Sequence, residues 1–155
     1  MSTRSWVSRP VDRIGGSTGV APDKSISHRA LILGAVASEP VTIDGLLLSE
    51  DCVATRRALE QLGATICDSD GERVVLGGQG HENLRASSDV IDLGNSGTAI
   101  RLLCGLISGL GLEATLSGDE SLRTRPMERV ASPLRKMGAH IKTHEGKPPI
   151  SIGGS

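Results

Sequence analysis

The chain repeats itself, and that constrains its fold more than any other feature. Leu59-Glu60-Gln61-Leu62-Gly63-Ala64-Thr65-Ile66 returns as Leu134-Arg135-Lys136-Met137-Gly138-Ala139-His140-Ile141, 75 residues later. Arg29-Ala30-Leu31-Ile32-Leu33-Gly34 has its counterpart in Arg101-Leu102-Leu103-Cys104-Gly105, at an offset of 72, and Asp44-Gly45 in Ser117-Gly118. A period of this size means one supersecondary unit used twice, each copy burying its apolar face against a neighbour. The 155 residues therefore divide into units of about 1–80 and 81–155.

Each unit reads as βαβαββ, which makes the chain α/β, with α+β-like hairpins. A short strand leads into a polar turn, and a helix follows near 26–38 and near 98–109. Val41-Thr42-Ile43 and Ala114-Thr115-Leu116 are strands by their β-branched and apolar content. A second helix spans about 51–62, on the spacing of Val53, Ala54, Arg57, Ala58 and Leu62. In the second unit Pro126 belongs in the first turn of that helix, and Val130, Leu134 and Met137 form its apolar stripe. Gly63 and Gly138 stand just beyond these helices, where a left-handed residue ends a helix. Hairpins turning at Asp70-Gly71 and Glu145-Gly146 close the units.

Three helix starts carry the chemistry: Asp23-Lys24-Ser25-Ile26-Ser27-His28-Arg29, Gly94-Asn95-Ser96-Gly97-Thr98-Ala99-Ile100-Arg101 and Arg123-Thr124-Arg125-Pro126-Met127. Free backbone N–H groups and the positive end of the helix dipole favour anions at such places. In the first motif Ser25 reads as the N-cap, with Arg29 one turn further on the same face. In the second, Gly97 admits a ligand close to the backbone, and Asn95 and Thr98 add polar contacts. In the third, proline pushes Arg125 into an extended conformation and fixes its direction. If the units fold alike, the first two turns occupy matching corners and line one pocket. A ligand bearing several negative groups, a phosphorylated or carboxylated metabolite, suits them.

The rest of the composition narrows the field. With no Phe, no Tyr and only Trp6, the core must be aliphatic, and no aromatic platform exists for stacking bases. The formal charge of −1 provides no basic field, so nucleic acid and membrane are not expected partners. Cys52, Cys67 and Cys104 form no CxxC pair and are odd in number, which points to free thiols in a reducing cytoplasm. No apolar run approaches transmembrane length. His140 and His144 lie four apart, but in a strand and a turn rather than on a helix, so no metal site is expected. Cys104 sits in an apolar helix and reads as packing. No paired carboxylates and no Ser–His–Asp order offer an acid–base pair.

Those three motifs, in order and spanning about Val11 to Gly154, resemble the signature segments of the 5-enolpyruvylshikimate-3-phosphate synthase family. The resemblance implies part of an inside-out α/β barrel domain of the enolpyruvyl-transferase type, built from three such units where two are visible here. It implies transfer of an enolpyruvyl group from phosphoenolpyruvate to the 5-hydroxyl of shikimate 3-phosphate, with loss of phosphate and without metal or organic cofactor. By motif match, Lys24 contacts both substrates and is the catalytic residue of this portion. Ser25 and Arg29 hold shikimate 3-phosphate, and the Asn95–Gly97 turn with Thr98 and Arg125 holds phosphoenolpyruvate. The family's later catalytic residues would follow residue 155, so the expected partner is the C-terminal portion of the same enzyme and the fragment alone should be inactive. Gly97 implies that a full-length version is inhibited by glyphosate, while Ser96 and Leu102 could loosen that inhibition. Ala21-Pro22 stands where the family usually has Pro-Gly. The sister transferase acting on UDP-N-acetylglucosamine is the nearest rival; it typically has Lys-Asn at Lys24-Ser25 and a reactive Cys within 112–125, where this chain has none. A non-catalytic fragment that binds a phosphometabolite is the rival from another class.

Overall fold

The computed structural model describes residues 5–69 and 73–153. Helices α1 (Lys24–Val36) and α2 (Glu50–Gln61) flank strand β1 (Val41–Ile43), and a hairpin of β2 (Ile66–Asp68) and β3 (Val74–Leu76) follows. The second half runs β4 (Val90–Asp92), α3 (Gly97–Gly109), β5 (Ala114–Ser117), α4 (Glu120–Thr124), α5 (Glu128–Lys136), β6 (His140–His144) and β7 (Lys147–Gly153).

The strand order of one half recurs in the other. One sheet is ordered β1-β3-β2 and the other β4-β5-β7-β6. In each, the later hairpin strand lies between its hairpin partner and the strand that follows the first helix. All pairs are antiparallel except β4 with β5. Period-two alternation turns Ile150 and Ile152 of β7 inward, with Ile152 opposite Ile141 and Ile150 opposite Leu116. The helices cover this inner face, and their aliphatic side chains complete the core. Leu31, Leu59 and Leu62 come from the first half and Ile100, Leu103 and Ile107 from α3, all fully buried.

Helix ends follow local chemistry. Gly63 and Gly138, just past α2 and α5, have φ of 100° and 102°, the left-handed position expected of them. The turn at Glu145 and Gly146 has φ of 52° and 76°, the primed geometry that matches strand twist. The corresponding turn at Asp70-Gly71 lies outside the described residues. Arginines pin each second helix to its hairpin. Arg56 of α2 donates to Asp68 at 2.6 Å and to the Ile66 carbonyl at 3.4 Å. Arg135 of α5 donates to the Ile141 carbonyl at 2.7 Å and to Glu128 at 2.7 Å.

The structure departs from the sequence reading in several places. No strand precedes α1 among the described residues. Pro10, Gly15, Gly16 and Gly19 break that stretch, and Val7, Val11, Ile14 and Val20 are exposed, so no buried face offsets the cost of ordering it. Ala58 and Leu62 are buried as expected of α2, but Cys52, Thr55 and Leu59 complete its buried face in place of Val53, Ala54 and Arg57. Pro126 does not begin a helix: it separates α4 from α5, because Arg125 before it is extended (φ −77°, ψ 137°). Met137, placed in the apolar stripe, is 81% exposed, while Met127 and Ala131 are buried instead.

Candidate functional site

Helix α1 begins at Lys24 because Asp23, not Ser25, caps it: Asp23 Oδ1 accepts the Ile26 N–H at 2.8 Å. Lys24 is thereby presented at the helix start, where its Nζ donates to Asp51 Oδ2 at 2.7 Å. Asp51 occupies the first turn of α2, behind the Ser49 cap, where the helix dipole favours a carboxylate. The hydrogen bond from Lys24 holds the Asp51 carboxyl below the usual carboxylate range, and Ser96, facing it from α3, adds to the effect. The same hydrogen bond and charge raise Lys24, so its ammonium is secure at neutral pH.

Ser96 caps α3, its Oγ accepting from the Ala99 N–H at 3.2 Å. Asn95, one residue earlier, is exposed. Its Oδ1 accepts from Arg125 Nη2, and its Nδ2 donates to Asp119 Oδ2 at 3.0 Å. Arg125 lies directly over Gly97: a Cβ there would come within 2.6 Å of Arg125 Nη1 and 2.9 Å of Arg101 Nη1. Arg101 donates to the Gly97 carbonyl at 2.7 Å and to the Pro126 carbonyl at 3.3 Å, bracing the two segments together. The Arg125 charge also acts on Lys24, opposing the larger pull of Asp51. The Lys24 ammonium at the start of α1 and the Arg125 guanidinium over the start of α3 thus come from different halves and act on one another. A groove of about 680 Å³ runs beside them, with Asp51 and Asn95 in its wall.

Of the residues singled out by sequence, Asn95, Gly97 and Arg125 are brought together, and Lys24 is tied to them through Asp51, on which Ser96 also acts. Ser25 and Arg29 are exposed on α1, where the Arg29 guanidinium folds back onto the Ser25 carbonyl at 3.0 Å. Thr98 is half-buried in the first turn of α3. Among the described residues, no hydrogen bond or ion pair joins these three to the cluster. His144, expected in a turn, instead falls with His140 in β6, where four residues of extended strand separate the two by roughly 13 Å at 3.3 Å per residue. Cys104 is buried, and burial pushes its thiol up to about 12, as suits a packing residue.

Sequence reasoning missed Asp51, Asp119 and the bracing role of Arg101. It also passed over His28, which is fully buried beneath the Lys24 turn. His28 Nδ1 lies 2.7 Å from Thr55 Oγ1, and that hydroxyl donates to the Asp51 carbonyl at 3.3 Å. Nε2 has no partner among the described residues, and burial lowers the imidazole below its ordinary value.

This arrangement can hold an anion between an ammonium and a guanidinium, with backbone N–H groups behind. Comparison with known proteins identifies the frame. The family model for EPSP synthase (3-phosphoshikimate 1-carboxyvinyltransferase) matches residues 8–155.

The chain belongs to the EPSP synthase family.

It is 46% identical over 149 residues to the 3-phosphoshikimate 1-carboxyvinyltransferase of Legionella pneumophila (strain Lens), covering 96% of this chain and 34% of that protein. It is 49% identical over 148 residues to that of Gloeobacter violaceus, covering 94% and 34%. The solved EPSP synthase of Acinetobacter baumannii superposes with a TM-score of 0.84 at 42% identity, over 90% of this chain and 32% of that one. The chain therefore spans about a third of the length of the EPSP synthases it matches.

Proposed function

We propose that this chain forms one wall of the substrate cleft of an enzyme that transfers the enolpyruvyl group of phosphoenolpyruvate to the 5-hydroxyl of shikimate 3-phosphate, releasing phosphate. Two units of a larger domain, about 1–80 and 81–155, make this wall, and the remaining length of the family's chains makes the other. What supports the reading most directly is the convergence of Lys24 and Arg125, from different halves, on one patch of helix starts.

Both substrates carry a phosphate and a carboxylate, so the site must present fixed positive charge. Lys24, kept protonated by Asp51, supplies an ammonium in contact with both. Asn95, Gly97, Thr98 and Arg125 hold phosphoenolpyruvate, and Ser25 and Arg29, once Arg29 swings away from the Ser25 carbonyl, hold shikimate 3-phosphate. Charge already oriented at Lys24 and Arg125 needs no reorganisation when the substrates meet, and this is what such a wall contributes to catalysis. Addition and elimination also need proton transfer, for which the second wall is required. The enzyme is expected to act in the cytoplasm.

Titrating shikimate 3-phosphate and phosphoenolpyruvate into the purified chain, with phosphate release followed in parallel, tests this. The expected result is saturable binding that shifts Lys24 and Arg125 resonances, with no turnover. Enzyme-like phosphate release from the chain alone would overturn the one-wall reading. Absence of any shift at those residues would overturn the site.

A further inference from the structure

An amide has a donor end and an acceptor end, and nothing in an isolated asparagine decides which faces a neighbour. At Asn95 the choice matters, because Arg125 can only donate: the Asn95 Oδ1 must face it. The other end of the same amide donates to Asp119 Oδ2 at 3.0 Å, and an ionised carboxylate can only accept. We propose that Asp119 is a positioning residue, which fixes the orientation of the Asn95 amide and through it aims Arg125 at the bound anion. This rests on the reading that Arg125 grips an anion.

Asp119 is itself held from several sides. Its second oxygen caps α4, accepting the Leu122 N–H at 2.7 Å, so the carboxylate cannot rotate freely. Its own N–H donates to the Gly94 carbonyl at 2.9 Å, tying it to the turn that carries Asn95. The neighbouring Gly118 packs so closely that a Cβ would stand 2.2 Å from the Gly94 oxygen. Helix α4 is anchored by fully buried Leu122 and runs directly into Arg125. Asp119 therefore controls both the backbone that carries Arg125 and the partner of its guanidinium.

The interposed amide has an electrostatic consequence. An aspartate bonded directly to Arg125 would form a bidentate ion pair and occupy the donors needed for a ligand. Asn95 accepts one N–H and leaves the others available, while the negative charge of Asp119 stays one residue removed.

Two variants separate positioning from capping. Asp119→Ser keeps a good N-cap but cannot reach the Asn95 amide. The double variant Asp119→Asn with Asn95→Asp exchanges the two groups. The amide now at position 119 still caps α4 through its carbonyl, and its N–H donates to the carboxylate at position 95, which accepts from Arg125. In the 155-residue chain we expect Asp119→Ser to melt within a few degrees of wild type. It should weaken phosphoenolpyruvate and inorganic phosphate by about tenfold or more, as loss of one aligned charge-assisted hydrogen bond implies. It should also average the Arg125 side-chain N–H signals in NMR spectra, and the double variant should resolve them again. Unchanged binding and unchanged Arg125 signals in Asp119→Ser would overturn the proposal, leaving Asp119 as a helix cap only. If the wild-type chain binds neither anion, the anion reading fails, while the Arg125 signals still decide whether Asp119 orders that side chain.

Discussion

Gly97→Ala is the sharpest test of the site. The added Cβ would stand 2.6 Å from Arg125 Nη1 and 2.9 Å from Arg101 Nη1. Ordinary contact begins near 3.5 Å, so the Arg125 guanidinium must retreat by about 1 Å. Both obstacles are the far ends of flexible side chains, so the fold can accommodate the methyl. Gly97 is the first residue of α3, where alanine has less backbone freedom to lose on folding than glycine. Melting temperature should hold or rise. Anion affinity should fall, because an arginine–anion hydrogen bond contributes about 1.5–3 kcal/mol and weakens steeply once misaligned. The expected loss is roughly 10- to 100-fold in the dissociation constant for phosphoenolpyruvate. Calorimetric titration of wild type and variant, beside thermal melts, measures both quantities. A variant that binds phosphoenolpyruvate as tightly as wild type would refute the placement of Arg125 over Gly97 as the gripping geometry.

Other outcomes follow from the same contacts. Burial depresses His28, so the unfolded chain, near pH 6.5, binds its proton first; stability is full above that pH and declines as pH falls towards the folded value. Asp51, Lys24 and Arg29 are the charges acting on it, and His28→Asn should flatten the fall of melting temperature as pH drops below about 6.5 even if the protein is less stable throughout. Exposed Cys67 should react with a thiol reagent in the native protein, whereas Cys52 and Cys104 should react only as it unfolds; a second rapid native thiol would contradict their burial. Leu103→Ala, at a fully buried position of α3, should cost about 2–5 kcal/mol in denaturant unfolding.

Local signals were readable and long-range partners were not. The glycines after α2 and α5, the Glu145-Gly146 turn and the extended Arg125 each follow from two or three neighbouring residues, and each is found as expected. The two halves' shared strand order was implied by the 75-residue offset, since like sequences pack alike. The cap of α1 was misassigned because Asp and Ser serve equally well there, and the backbone is extended at Asp23. Met137 fits a helical stripe by spacing, but only tertiary packing decides how wide the buried stripe is. Asp51 and Asp119 lie 27 and 24 residues from the side chains they orient, so no spacing rule points to them. Only the packing of α2 and α4 beside the Lys24 and Asn95 turns brings them into place.

Among the described residues the two sheets share no strand. The halves are joined instead by α2 lying on α3 and β4, and by short links such as the Arg85 N–H to the Leu62 carbonyl at 2.7 Å. The Lys24–Asp51 pair and the Asn95–Arg125 pair sit on opposite sides of that seam. A small shear of one half past the other would leave every β ladder whole and still pull these pairs apart, because packed helices slide more readily than paired strands separate. The proposed anion grip, which draws one cation from each half, would therefore depend on how the halves are aligned. A contact that presses them into register would tighten it without touching a single side chain of the proposed site.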